Sequence, residues 1–311
     1  MKKYLCFDAG GTYLKYALFD EEDVFLDQGR VPTRCNDLEL FLKDIRNIYK
    51  KYDGVCGIGL SLPGMIDTET GYLHTSGSIG CLFNVNIIEK IGKICGSLPI
   101  AIENDANAAA LAEAVSGSLR DCNNAIVLAV GTSIGGGIII NKKVFHGRHN
   151  LAGEVAFAFY NNTVMPESTQ SQEEHEKSVE TLWDYRCTAS RMCDIYRELT
   201  GISIEAPYGE NFFELVEADD LHALDALRRV CHDFGMLIFN LQCAFDPDAI
   251  SIGGGISAQP KFMEMLREET DNYTDKSFKN APDVDLRVCK YGNDANLLGA
   301  LYTLRSRYNL L

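Results

Sequence analysis

Four short stretches of this sequence carry residue types that could hold or transfer a phosphoryl group. The first is Asp8-Ala9-Gly10-Gly11-Thr12-Tyr13-Leu14-Lys15. Two glycines at a bend between β-prone runs let backbone N–H groups come close to phosphate oxygens. Thr12 adds a hydroxyl donor, and Lys15 a cation on the returning strand. Asp8 stands where it could hold Mg²⁺ through waters, because that ion gives up its hydration shell reluctantly. An ordinary hairpin turn would use the same residues. The second stretch, Gly131 to Gly137, includes Thr132, Gly135 and Gly136; four glycines with a Thr-Ser pair exceed what a flexible turn needs. The third is Gly253-Gly254-Gly255-Ile256-Ser257, directly after an apolar run. Glycines there would let an adenine or ribose approach the backbone, and a following helix start would offer free N–H groups; a plain strand-to-helix turn is the alternative. Neither run matches GxxxxGK[ST] or GxGxxG. The fourth is Glu103-Asn104-Asp105-Ala106-Asn107, a carboxylate pair at the start of an alanine-rich helix. A helix N-terminus favours negative charge, so Asp105 should be ionised and able to accept a hydroxyl proton. Asn and Asp are also favoured helix caps, which is the plain reading of the same residues.

The elements that must position these residues can be read from periodicity. Strands are expected at Lys3 to Phe7, Tyr13 to Phe19 and Val24 to Gln28, with a helix over Leu38 to Tyr52. Val55 to Leu60 reads as a strand interrupted by Gly57 and Gly59, ending at the loop Ser61-Leu62-Pro63-Gly64. A short strand ends near Ile102, and a helix runs from the Asn104-Asp105 cap to about Ser116. The theme then recurs: strand Asn124 to Val130, the glycine turn 131–137, and strand Ile138 to Ile140. Such loose internal similarity points to a duplicated scaffold. Asn162 to Lys177 is polar and reads as a surface loop. Helical patterns fill Thr181 to Leu199, Leu221 to Phe245 and Asn296 to Arg307, the last expected to pack back on the first lobe.

Composition bounds the rest. The chain has 311 residues, 46% hydrophobic and 23% charged, which is globular composition with room for two domains. A formal charge of −15 argues against nucleic acid or an anionic membrane surface as partner. It does not exclude a nucleotide, which backbone N–H groups can hold in an acidic protein. No export signal or membrane-spanning run is visible. Eleven cysteines without a CxxC pair read as reduced thiols in a cytoplasmic protein.

Taken together and in order, the series DAGGTYLKYALFD, SLPG, ENDANAAALAEA, GTSIGGGIII, NLAGE and SIGGGIS resembles the ROK family (repressor, open reading frame, kinase) of sugar kinases. The resemblance covers nearly the whole chain. It implies an α/β, actin-like ATPase (ribonuclease H-like) fold, with residues 1–117 and 292–311 in an N-terminal lobe, 118–291 in a C-terminal lobe, and ATP in the cleft. By the same resemblance Gly10, Gly11, Thr12 and Lys15 meet the phosphates, as do Thr132, Gly135 and Gly136, while Gly254 and Gly255 border the adenosine. Asp105 matches the catalytic base, Asn104 and Glu154 match residues that bind sugar hydroxyls, and Gly64 lines the sugar site. The implied reaction uses ATP and Mg²⁺ to phosphorylate a hydroxyl, at C6, of a hexose or hexose derivative. A homodimer is a further implication of the resemblance.

The chain also departs from the family pattern. Members with a zinc site carry a His shortly after the AGE motif and then three closely spaced cysteines. Here Phe157 occupies the His position, no cysteine lies between Cys122 and Cys187, and His175 stands alone in a charged stretch, so no structural zinc is expected. The missing cluster leaves the second sugar-binding acid open: Asp184 is the first choice and Glu180 the alternative, and either could be a polar helix position. Exchanging His for Phe removes an N–H donor and adds apolar surface, which favours a sugar with an N-acetyl or aglycone substituent over plain glucose. The rival function is a catalytically silent sugar sensor on the same scaffold. A repressor of the family is not expected, because the first strand begins at Lys3 and leaves no room for a preceding helix-turn-helix.

Overall fold

The structure is a computed structural model and describes residues 2–131, 133–160, 182–277 and 283–310. The chain divides into two compact units, one made of Met1–Arg120, Gly137–Ala152 and Asn293–Leu311, the other of Asp121–Gly136 and Gly153–Gly292. Residues 137–152, expected with the second lobe, group with the first unit.

In the first unit, β1 (Lys3–Ala9), β2 (Tyr13–Phe19), β3 (Phe25–Pro32) and β4 (Val55–Leu62) are followed by a small sheet of β5 (Ile66–Asp67), β6 (Tyr72–Leu73) and β7 (Val85–Asn86), and then by β8 (Ile100–Asn104). The main sheet has the order β3-β2-β1-β4-β8. β1 is covered on both faces, and Tyr4 to Ala9 are all buried, so its sequence reads as an unbroken apolar run. Its odd residues Leu5, Phe7 and Ala9 join a cluster with Phe41, Ile45 and Ile48 of α1 (Leu38–Tyr49) and Ile87 and Ile91 of α2 (Ile87–Cys95). Its even residues face the other way. There Asn296 bonds Asp8 and the Arg305 guanidinium lies over the Tyr4 ring, both from the last helix, α9 (Ala295–Tyr308). Gly59 of β4 is explained by that helix: a Cβ there would sit 2.4 Å from the Ala300 carbonyl oxygen. α3 (Asp105–Ser116) packs beside α9 on the same side.

The second unit holds β9 (Ala125–Val130), β12 (Ala249–Gly253) and β13 (Leu286–Val288), which are parallel, and the start of β10 (Ile134–Ile140); the end of β10 pairs antiparallel with β11 (Lys143–Val144) among residues of the first unit. The sheet order is β11-β10-β9-β12-β13. Five helices follow β11: α4 (Trp183–Arg186), α5 (Ala189–Thr200), α6 (Tyr208–Glu217), α7 (Leu221–Phe245) and α8 (Pro260–Ser277). Asp220 caps α7 by accepting from the His222 and Ala223 N–H groups, both at 2.9 Å.

Several sequence boundaries need correction. The helix expected to Tyr52 stops at Tyr49, where Lys50 turns its N–H back to Arg46. The single helix expected from Thr181 to Leu199 is two, broken at Thr188, whose backbone is extended (φ −109, ψ 162); Thr181 itself lies outside the described residues, as does the polar stretch 162–177. The seven-residue glycine turn is shorter than expected, because β10 already begins at Ile134. None of the eleven cysteines forms a disulfide, and among the described residues no helix is long and apolar enough to cross a membrane.

Candidate active site

Strand register in the first unit sets Lys15, Asp8, Ser61 and Glu103 side by side across β2, β1, β4 and β8. Facing residues on neighbouring strands share a face, so these four form one polar row, which Arg30 of β3 extends beyond Lys15. Asp8 is only 6% exposed. One of its oxygens lies 3.5 Å from Lys15 Nζ, and the other accepts from Asn296 Nδ2 at 3.0 Å and Ser61 Oγ at 3.4 Å. A single carboxylate among neutral oxygens and a cation is too sparse for an all-protein metal cage. It fits a divalent ion that keeps most of its water, as Mg²⁺ does.

The Gly10-Gly11 bend is held from behind by residues the sequence reading did not single out. Thr33 Oγ1 donates to the Gly10 carbonyl at 2.6 Å, Cys35 Sγ to the Gly11 carbonyl at 3.1 Å, and the Thr33 N–H to the Thr12 carbonyl at 3.0 Å. In a trans peptide the C=O and the next N–H point in opposite directions. The N–H groups of Gly11 and Thr12 are therefore aimed away from Thr33 and Cys35, on the exposed side of the bend. Gly10 does not add a third: its own N–H closes the bend onto the Tyr13 carbonyl at 3.0 Å. Nothing in the spacing of Thr33 or Cys35 marks them; only the tertiary path after β3 brings them here.

At the start of α3 the two readings of Asn104-Asp105 separate. Asn104 is the cap: its Oδ1 accepts from the Asn107 N–H at 3.1 Å, with backbone in the extended region. Its Nδ2 donates to the Gly64 carbonyl at 3.1 Å, which joins two of the expected sugar-site residues. Gly64 has φ +107, and a Cβ there would meet the Thr75 carbonyl at 2.4 Å, so no other residue fits. Asp105 is the first helical residue and accepts from the Ala106 N–H at 2.9 Å, at the positive end of the helix. Behind them Glu103, 3% exposed, accepts from the Asn104 N–H at 2.9 Å and bonds His146 Nε2 through both oxygens, at 2.9 and 3.1 Å. The bond to Glu103 raises the His146 pKa above its ordinary value, against the opposing effect of burial.

The second unit carries the remaining candidates. Glu154 precedes a 3₁₀ turn, Val155–Phe157, and burial pushes its carboxyl pKa up. Two aromatic rings stand exposed just after it, Phe157 at 70% and Phe159 at 50%. Asp184 accepts from Ser133 Oγ at 2.6 Å and from the Ile134 N–H at 3.0 Å, both through one oxygen. The carboxylate expected to meet sugar is thus tied to the glycine bend as well. The bend itself closes with the Gly131 N–H on the Ser133 carbonyl at 2.9 Å. Thr132, Glu180 and His175 lie outside the described residues.

Gly135 and Gly136 belong to β10 and not to the bend. Gly136 is needed for packing, since a Cβ would lie 2.3 Å from the Gly153 carbonyl. Gly254 has φ +85, with the Val130 carbonyl 2.0 Å from where a Cβ would be, whereas a Cβ on Gly255 would meet nothing within 4 Å. A short 3₁₀ turn, Gly255–Ala258, follows β12, and α8 begins only at Pro260, so the N–H groups just past the glycines are those of the 3₁₀ turn. Among the described residues, no three His, Cys, Asp or Glu side chains converge as a metal-binding group.

A sequence profile of the ROK family matches residues 4–307. The chain is 30% identical over 300 residues to a β-glucoside kinase of Listeria monocytogenes, covering 96% of each. It is 31% identical over 316 residues to an N-acetyl-D-glucosamine kinase of Aliivibrio salmonicida, covering 96% of this chain and 98% of the relative. Among solved structures it is similar to a ROK family protein from Streptococcus pneumoniae in complex with sucrose, with a TM-score of 0.85 at 26% identity, over 99% of this chain and 100% of the other.

Proposed function

Since this chain belongs to the ROK family, with the actin-like ATPase fold and the activity of an ATP-dependent carbohydrate kinase, we propose that it phosphorylates the C6 hydroxyl of a substituted hexose with Asp105 as general base. The observation that carries this reading is the division of labour at α3. Asn104 takes the cap and is fixed to Gly64, while the Asp105 carboxylate stands next to it as the first residue of α3, at the positive end of the helix.

In the reaction the C6 oxygen attacks the γ-phosphorus of ATP. The new O–P bond forms as the bond from the γ-phosphorus to the β,γ-bridging oxygen breaks, and ADP leaves with that electron pair. The hydroxyl proton passes to the Asp105 carboxylate. Gly11, Thr12 and Lys15 steady the phosphates, with Gly10 closing the bend that aims them. The family resemblance assigns Thr132 and Gly135 to the phosphates and Gly255 to the adenosine, while Gly136 and Gly254 make room for neighbouring backbone. Gly64, Asn104, Glu154 and Asp184 bind sugar hydroxyls, each of which can donate to a carboxylate and accept from an amide. Asp8 would hold Mg²⁺ through its waters, and that ion would neutralise phosphate charge. Positioning and electrostatics carry most of the rate.

Two observations support a substituent on the sugar. Phe157 presents an exposed apolar ring three residues from Glu154, where a His would offer a hydrogen bond. Two relatives are named for a β-glucoside and for N-acetyl-D-glucosamine, hexoses modified at C1 or C2. The free thiols support a cytoplasmic site of action.

ADP release measured over a panel of glucose, N-acetylated hexosamines and aryl β-glucosides tests the reading. Turnover is expected on a substituted sugar above that on glucose. Sugar binding without ADP release would instead make the chain a silent sensor, and glucose well above every derivative would remove the role given to Phe157.

A further inference from the structure

The Glu103–His146 pair lies outside the roles given so far, yet it touches the residue that touches everything else. Glu103 is a buried carboxylate one residue before Asn104 and two before Asp105. A buried charge left without partners is strongly unfavourable, so its contacts are not optional. Those contacts run in two directions. Forward, Oε1 holds the Asn104 N–H at 2.9 Å, and Asn104 in turn caps α3 and bonds Gly64. Backward, both oxygens meet His146 Nε2. His146 reaches in from residues 137–152, a segment that its sequence position puts far from β8, and its carbonyl accepts from the Ala152 N–H at 3.3 Å, two residues before Glu154.

We propose that His146 is a positioning residue for phosphoryl transfer: through the buried Glu103 carboxylate it braces Asn104 and holds Asp105 at the start of α3. This rests on the reading of Asp105 as general base. His146 does not touch the substrate in this account; it acts only through Glu103.

The pair borders a cavity of about 420 Å³ whose charged lining residues are Glu69, Glu103, Lys142, Lys143, His146 and Arg307. Two of the cations have backbone partners: Lys142 Nζ bonds the Arg120 carbonyl, and Arg307 bonds the carbonyls of Thr68 and Glu69. Glu69 adds a weaker attraction for the His146 cation. None of Gly64, Asn104, Asp105 or Glu154 lines this cavity. The brace is therefore reached from a space distinct from the residues it positions. Because the His146 pKa is raised in the folded protein, the stabilisation it contributes is complete below the ordinary imidazole pKa and is lost as pH rises through the raised value. The brace should therefore slacken on the alkaline side of the His146 titration.

The test uses the full-length protein as wild type and with each of two substitutions. His146→Ala is expected to lower kcat about tenfold or more, as small displacements of a catalytic group do, with the KM for ATP near wild type. His146→Gln, which keeps a neutral donor for Glu103, is expected to restore most of kcat and to remove the alkaline decline seen in the wild type. Wild-type kcat in His146→Ala, or an alkaline decline unchanged in His146→Gln, would overturn the proposal. Amide exchange at Asn107, whose N–H is held by Asn104, reads the brace with no sugar present. It should quicken in His146→Ala, and unchanged protection there would sink the brace, whereas absence of wild-type turnover on any sugar would sink the kinase reading instead. Should His146→Ala not fold, Asn107 exchange in wild type and His146→Gln across pH decides: a wild-type excess that grows through the His146 titration supports the brace, and parallel profiles overturn it.

Discussion

A Cβ placed on Gly10 in the first unit would approach nothing nearer than the Tyr13 carbonyl at 3.7 Å, while one placed on Gly136 in the second would lie 2.3 Å from the Gly153 carbonyl. Both glycines come from runs that read alike in sequence. In the first unit the three carbonyls of the bend are fixed by Thr33 and Cys35, so the N–H edge is aimed while the space beside it stays open. In the second, Gly136 has left the bend for β10, and its missing side chain makes room for another stretch of backbone. A glycine run can therefore mark a ligand-facing surface or a tight backbone crossing, and only the neighbours distinguish the two.

The sharpest contrast between the units comes from substitutions that should act on different quantities. Asp105→Asn in the first unit is expected to cut kcat by about 10³-fold, within the range for a lost general base, while shifting stability by no more than about 1 kcal/mol. A coupled ADP assay beside a urea melt checks this, and near-normal turnover would remove Asp105 from its role. Gly254→Ala in the second unit should do the reverse. Its left-handed φ and the Val130 carbonyl 2.0 Å away make it a folding defect of about 2–4 kcal/mol, read from the urea midpoint.

Gly10→Ala and Gly136→Ala test the comparison where the sequence sees no difference. Gly136→Ala should cost about 1–3 kcal/mol of stability through overpacking. Gly10→Ala should leave the melt near wild type and raise the KM for ATP, because the added methyl enters the side where phosphate is expected. Equal loss of stability in both would erase the distinction. A smaller effect is expected for Cys35→Ala, which removes one of the bonds behind the bend: a severalfold rise in the KM for ATP, about 1 kcal/mol in binding, with kcat retained. Smallest of all, Phe157→His should move the ratio of kcat/KM between glucose and its substituted derivatives toward glucose by about fivefold, or about 1 kcal/mol; a ratio that does not move would show that the ring at this position does not select the sugar.

Local features were the legible ones. The Asp8 to Lys15 hairpin, the α3 start at Asp105 and the long helix Leu221–Phe245 follow from turn glycines, a cap and apolar periodicity, all of which act over a few residues. β3 was read too short: it continues to Pro32, because its outer residues are exposed on a sheet edge and carry little apolar signal. The helix break at Thr188 was hidden because Trp183, Cys187, Met192 and Cys193 are all buried, so the apolar pattern runs on across it. At the candidate site Asp184 shows the same limit. Its position was legible, but its bonds to Ser133 and Ile134 join residues half a hundred positions apart.

What the sequence determined by itself is the set of chemical groups and their local frames: bends with glycine, a helix that starts at Asp105, strands long enough to carry both. What only the tertiary structure decided is which of those groups lie together. The row Lys15, Asp8, Ser61 and Glu103 exists because strand register sets β4 and β8 beside the β1–β2 hairpin. His146 meets Glu103 because residues 137–152 fold into the first unit. Hydrogen bonds and burial act through space, and a one-dimensional pattern records them only where the chain happens to be its own neighbour.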